Sequence, residues 1–199
     1  MDVIIIAGMP ASGKSTIAKQ ISQVLKYPIL EKDAFKEELF DTIGFTNYAQ
    51  KRNLDHAATA VLLRCMDALL QGGTSCIVVN NFRKDAKAKV QAIIDRYQCR
   101  CILVFLSGDN NEFYRRYVER DNKHLRHLGH ILQERYPPAV GDSLDYTMTR
   151  EEFSAKFENL GMTEFELGGT RIDVDATNLK DIDVDALIEK IQKAINYTD

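Results

Sequence analysis

Eight consecutive residues, Gly8-Met9-Pro10-Ala11-Ser12-Gly13-Lys14-Ser15, carry the clearest chemistry in this 199-residue chain. Their spacing is G-x-x-x-x-G-K-S, the pattern of a phosphate-binding loop. Gly8 and Gly13 permit backbone turns that a Cβ would obstruct, so the N–H groups of the loop, those of Ala11 and Ser12 included, converge on a polyphosphate. Lys14 would then bring a point charge to the β- and γ-phosphates of ATP, Ser15 a hydroxyl ligand for Mg²⁺, and Thr16 a donor for the α-phosphate.

Asp33 is the second candidate. The short apolar run Tyr27-Pro28-Ile29-Leu30 reads as a strand ending at Glu31-Lys32-Asp33, and ligands of open α/β sheets bind beyond the carboxyl ends of the strands. A carboxylate there suits two tasks: holding an acceptor hydroxyl, by taking its proton or orienting it for attack on a γ-phosphoryl group, and completing a Mg²⁺ site with Ser15. Asp33 also directly precedes the helical Ala34-Phe35-Lys36-Glu37-Glu38-Leu39-Phe40, where an aspartate suits the N-cap. The two readings are compatible.

The third candidate is a set of cations. Arg116, Arg120 and Lys123 are spaced by four and three, which places them on one helical face, with Arg126 continuing loosely. The spacing predicts a helical lid over about 112–135, with Arg116 and Arg120 facing the nucleotide and Arg120 neutralising charge on the transferring group. A solvated helix paired with Glu112, Glu119 and Asp121 would show the same spacing. His124, His127 and His130 recur every third residue, but Gly129 interrupts the helical face and no ligand pattern surrounds them, so a metal is not expected there. Thr177, in the turn Asp175-Ala176-Thr177-Asn178, is expected beside the adenine base.

These groups need elements to position them. Val3-Ile4-Ile5-Ile6-Ala7 predicts a buried strand feeding the loop, and Thr16 to Lys26 a helix leaving it. A long helix is expected over Gln50–Leu70, closed by Gly72-Gly73. A third strand, Thr74–Val79, runs into Asn80-Asn81, where many phosphate-loop enzymes carry an aspartate; Asp33 is expected to compensate there. Asp85 is expected to cap the next helix, and Arg100–Leu106 is the fourth strand. Tyr136-Pro137-Pro138 through Tyr146 reads as a loop near the acceptor, and Thr149-x-x-Glu152 as a capping box opening a helix to Leu160. Thr163–Leu167 with Thr170–Asp175 suggests a hairpin-like approach to a last strand, before a closing helix over 184–195. The alternation of strands and helices implies a three-layer α/β fold with about five parallel strands.

A net charge of −3 and a pI near 5.8 argue against a general nucleic-acid coat or a membrane-surface protein. No apolar run reaches bilayer length and the opening residues enter a core strand, so a cytoplasmic protein is expected. Cys65, Cys76, Cys99 and Cys101 contain no C-x-x-C pair and are expected to be reduced. No repeat or linker divides the chain, and residues 1–199 are expected to form a single domain.

The phosphate loop, Lys32-Asp33-x-x-Lys36-Glu37, the strand ending in Asn80-Asn81-Phe82-Arg83, the Arg126-His127-x-Gly129-His130 run and Val174-Asp175-x-Thr177 together resemble the zeta-toxin and chloramphenicol-phosphotransferase type of P-loop kinase, a group also described as AAA-domain proteins. The resemblance implies ATP- and Mg²⁺-dependent phosphoryl transfer to a hydroxyl, with Asp33 on the acceptor side and Arg116, Arg120 or Arg126 in the lid. Acceptors in that group include antibiotics, sugar nucleotides and nucleic-acid ends. A small-molecule or nucleotide acceptor is expected here, with a nucleic-acid 5′-end kinase or a non-catalytic ATP-binding sensor as the alternatives; the overall acidity counts against the former.

Overall fold

Strands β1 (Asp2–Gly8), β3 (Cys76–Val79) and β4 (Arg100–Ser107) are apolar on both faces, which requires cover on both. In the computed structural model, which describes residues 1–144 and 148–196, they join β2 (Ile29–Glu31) and β5 (Thr170–Asp175) in one parallel sheet of order β2-β3-β1-β4-β5. Alternate residues serve opposite layers. Ile4, Ile6, Ile77, Val79, Ile102 and Val104 pack beneath α1 (Lys14–Leu25), α5 (Asn110–Asn122), α7 (Arg150–Asn159) and α8 (Val184–Asn196). Val3, Ile5, Val78, Leu103 and Phe105 meet α3 (Tyr48–Gln71) and α4 (Lys87–Tyr97) on the other side. The expected three-layer α/β fold with five parallel strands is the one observed.

A third, smaller cluster lies off the sheet. Phe40 of α2 (Lys32–Ile43) packs with Phe45, Leu54 and Leu132 under α6 (Leu128–Ile131), tying the segment after α5 to the helix that carries Asp33. The predicted lid segment therefore comprises most of α5, a connection and α6.

Several local expectations need correction. Glu31 is still extended at φ −113°, ψ 120° and passes directly into α2, so Asp33 lies inside the first helical turn rather than at the N-cap, and the cap carries no side-chain hydrogen bond. Asp85 does not cap α4. A 3₁₀ turn over Lys84–Ala86 intervenes, and Asp85 pairs with Arg83 at 3.4 Å. Residues 163–167 form no strand: β5 pairs only in parallel with β4, and Phe165 earns its apolar character by stacking on Phe82 at a centroid distance of 4.8 Å. The Thr149–Glu152 capping box is present, with both reciprocal hydrogen bonds. Tyr146 lies outside the described residues. The four cysteines are free thiols, and burial pushes Cys76 and Cys101 up to about 12. Among the described residues no helix is long and apolar enough to cross a membrane.

Candidate active site

The loop from β1 to α1 curls because three of its residues take positive φ: Gly8 at 139°, Ala11 at 61° and Gly13 at 90°. At Gly8 the demand is also steric, since a Cβ would stand 2.3 Å from the Leu106 carbonyl oxygen of the neighbouring strand. At Gly13 it would stand 2.7 Å from Leu179 Cδ2, so the ring of the loop closes against the turn before α8. Lys14 begins α1 and folds back over the loop, its Nζ donating to the Gly8 and Met9 carbonyls at 3.1 and 2.7 Å. Burial pushes the Lys14 ammonium down to about 7, against the opposing pull of Asp33. Thr16 is exposed on the next turn, its N–H donating to the Gly13 carbonyl.

Asp33 reaches the same cleft from the first turn of α2, just beyond β2. A cavity of about 250 Å³ is lined by Gly13, Lys14, Ser15, Asp33, Arg116 and Arg120 among others. The Asp33 side chain is 41 % exposed, and Arg126 Nη2 stands 4.0 Å from its Oδ2. Burial alone would raise the Asp33 carboxyl, but the cations around it hold it well below the usual carboxylate range. His130 is one of the groups acting on it, yet burial pushes His130 itself down to about 4, so at neutral pH the work falls to Arg126, Lys32 and Lys36.

The predicted arginines do face this cleft. Arg116 donates to the Ala176 and Thr177 carbonyls at 2.7 and 3.3 Å and lies over the Phe113 ring, fixing the turn that contains Thr177. Thr177 Oγ1 accepts from Asp109 N–H at 2.9 Å and does not line the cleft. Arg120 and Arg126 each lie 5.7 Å from the Tyr117 ring centroid, and both approach Asp121 Oδ1 at 3.8 Å. Arg116 Nη1 and Arg120 Nε are buried without a hydrogen-bond partner among the described residues. Orphaned cationic donors beside a loop of convergent N–H groups fit a polyphosphate.

Sequence reasoning missed two parts of the site. Ser15 Oγ hydrogen-bonds Glu31 Oε1, whereas the expectation had placed Ser15 with Asp33 on the metal. The signal was the Glu31-x-Asp33 spacing, which sends two carboxylates to one strand end. The second omission is the pair Lys51 and Lys156 in the wall of a larger cavity of about 720 Å³, which shares Pro10, Lys32, Asp33, Asn80, Asn81 and the expected Arg126 with the first. Within it Asp55 bridges Lys32 and Lys36 at 2.7 and 2.8 Å. Asn80 is buried, its side-chain oxygen accepting from Asn81 N–H at 2.8 Å. His127 and His130 are engaged by Asp41 and Glu37, each at 3.0 Å.

Comparison with known proteins follows this geometry. A shikimate kinase of Clostridium botulinum (strain Loch Maree / Type A3) is 46% identical over 41 residues, 21% of this chain and 24% of that enzyme. A cytidylate kinase of Pyrobaculum neutrophilum is 31% identical over 81 residues, 36% of this chain and 44% of the enzyme. The chain thus spans under half the length of either curated relative. Among solved structures, one described as "a putative kinase from Chloroflexus aurantiacus j-10-fl" superposes with a TM-score of 0.80 at 26% identity, covering 97% of both chains. The profile of a family described as an AAA domain matches residues 3–138, more than half of the sequence, and the chain belongs to that AAA-domain family.

Proposed function

We propose that this protein is an ATP- and Mg²⁺-dependent phosphotransferase that moves the γ-phosphoryl group to a hydroxyl of a small-molecule or nucleotide-like acceptor. The observation that carries the reading is that the Lys14 loop and Asp33 open into one cleft, with a second, larger cavity meeting it at Asp33. The kinase names of these relatives and of the superposed structure support it. Within the family, the Lys32-Asp33 and Arg126-His127 pairs favour the zeta-toxin and chloramphenicol-phosphotransferase type. We read residues 1–199 as one domain, acting in the cytoplasm.

The loop N–H groups of Gly8 to Ser15 and the Lys14 ammonium hold the phosphates, and Arg116, anchored on the turn at Thr177, borders the nucleoside side. Thr16 donates to the α-phosphate. Ser15, Glu31 and Asp33 are the residues that would hold Mg²⁺, which when bound offsets charge on the phosphate oxygens. In the transfer the acceptor oxygen forms a bond to the γ-phosphorus, the bond from that phosphorus to the bridging oxygen breaks, ADP leaves, and the hydroxyl proton is released. A carboxylate held as far below its usual range as Asp33 is a weak base. Its task is therefore to accept a hydrogen bond from the hydroxyl and aim the oxygen, taking the proton only as the new bond forms, which suits a loose transition state. Arg120 and Arg126 approach from the lid side, where permanent positive charge lowers the cost of charge spreading over the transferring oxygens.

The test is acceptor-dependent ADP release over a panel of hydroxyl compounds, with and without chelation of Mg²⁺. Release that needs both acceptor and Mg²⁺ supports the reading. Tight nucleotide binding with no acceptor-dependent release across the panel favours a sensor instead.

A further inference from the structure

The larger cavity carries a charge pattern at odds with the rest of the chain. Eight lysines and arginines line it against three aspartates, whereas the whole sequence has a net charge of −3. All three aspartates are already engaged: Asp55 by Lys32 and Lys36, Asp85 by Arg83, and Asp33 by Arg126. Lys51, Arg52, Lys89 and Lys156 are left with no ion pair among the described residues, and of these four Lys51 is the buried one.

Lys51 is 7 % exposed, and its Nζ donates to the carbonyls of His130 and Leu132. An ammonium has three donors, so one remains for the cavity. Lys156, exposed on α7 at the rim, has its Nζ 5.7 Å from the centre of the Phe157 ring. Lys36 and Arg126 act on both, and burial together with this like-charge crowding pushes Lys51 down to about 7. Desolvated like charges cost free energy unless an anion joins them. The cost is borne by residues of three separate helices, α2, α3 and α7, which converge on one volume.

We propose that the phosphoryl acceptor is itself a phosphorylated small molecule, its phosphate held by Lys51, Lys156 and Lys36 in the larger cavity while its free hydroxyl lies at Asp33. This rests on the phosphotransferase reading and specifies its substrate class. A neutral acceptor would leave the Lys51 and Lys156 ammoniums without an anionic partner in the cavity. A phosphate dianion answers two of them at once, where a single carboxylate answers one. A cavity of about 720 Å³ is of the size that small ligands occupy.

The experiment compares matched acceptors at saturating Mg-ATP: a nucleoside and its 5′-monophosphate, a hexose and its monophosphate, a hexonate, and a 5′-hydroxyl oligonucleotide. At least one monophosphate is expected to exceed its neutral partner by about tenfold or more in kcat/KM. Lys156→Gln and Lys51→Met should erode that ratio through KM, while Lys193→Gln on α8 should leave the ratio as in wild type. Equal use of both partners, preference for the hexonate or the oligonucleotide, or a ratio that survives both cavity substitutions would overturn the proposal. Calorimetry of the same monophosphates with the ADP-loaded wild type and Lys156→Gln runs in parallel. Binding that is lost in Lys156→Gln without turnover upholds this site and removes the phosphotransferase reading; turnover of neutral acceptors alone does the reverse. No binding and no turnover of any monophosphate overturns the proposal.

Discussion

Gly129 sits directly against the ring of Phe40, and replacing it with alanine probes how the lid segment is fastened to the helix of Asp33. A Cβ at Gly129 would stand 2.3, 2.7 and 2.9 Å from Cδ2, Cγ and Cε2 of that ring. The ring has nowhere to go: Phe40 is fully buried, with Phe45, His130, His127 and Tyr136 at centroid distances of 5.4, 5.5, 5.8 and 6.2 Å. Overpacking of this kind costs about 1–3 kcal/mol. For a chain of this size each kcal/mol lowers Tm by roughly 2–4 °C, so Gly129→Ala should melt roughly 2–12 °C below wild type. The damage should also reach the acceptor cavity, because Lys51 hangs from the carbonyls of His130 and Leu132 immediately beyond Gly129. Pairing Gly129→Ala with Phe40→Leu supplies the missing space, and the double variant should be less destabilised than the sum of the singles by at least about 0.5 kcal/mol. Differential scanning calorimetry of the four proteins decides the matter. A Gly129→Ala melt within about 1 °C of wild type, or strict additivity in the double variant, would refute the packing argument.

Three further outcomes are expected. Thr149→Ala removes the acceptor for Glu152 N–H from the capping box and should cost about 1 kcal/mol, read as a drop of roughly 2–4 °C in Tm; an unchanged melt contradicts it. Glu31→Gln keeps an oxygen beside Ser15 but removes the charge, and should raise the Mg²⁺ concentration for half-maximal activity roughly tenfold to a hundredfold; an unchanged Mg²⁺ titration would show that Glu31 is not near the metal. Lys14 and Lys51 are held near 7 in the folded chain against 10.5 ordinarily, so between those values the unfolded chain binds more protons and stability rises with pH. Each lysine contributes a slope of up to about 1.4 kcal/mol per pH unit in that window, and none below it where both states are protonated. Denaturant titrations from pH 6.5 to 9 should show a smaller slope in Lys51→Met than in wild type, and equal slopes would contradict the assignment.

The order and type of most elements were legible because periodicity and local chemistry agree. β1, β3 and β4 are continuous apolar runs, and the loop pattern fixes which end of the sheet faces the ligand. Where the sequence misled, tertiary contacts had overruled local signals. Phe165 reads as strand but is buried by stacking on Phe82, and Asp85 reads as a cap but pairs with Arg83. The near side of the site is coded within one segment, Gly8 to Ser15. The far side is not: Lys51 and Lys156 come from α3 and α7 to join Lys36 and Arg126, and each of the two alone reads as an ordinary surface cation. Their meaning lies in convergence, to which spacing along the chain is blind. Glu31 was overlooked for another reason, since the neighbouring Asp33 already filled the role expected of a carboxylate at that strand end.

The most direct measurement of the central claim, that the Lys14 loop and Asp33 serve one reaction in one cleft, is steady-state phosphotransfer by wild type, Asp33→Asn and Lys14→Met with the best acceptor found. Asp33→Asn should lower kcat by roughly 10²–10⁴-fold while KM for ATP stays within about threefold, and Lys14→Met should lower both kcat and ATP affinity. Wild-type kcat in Asp33→Asn would contradict the account.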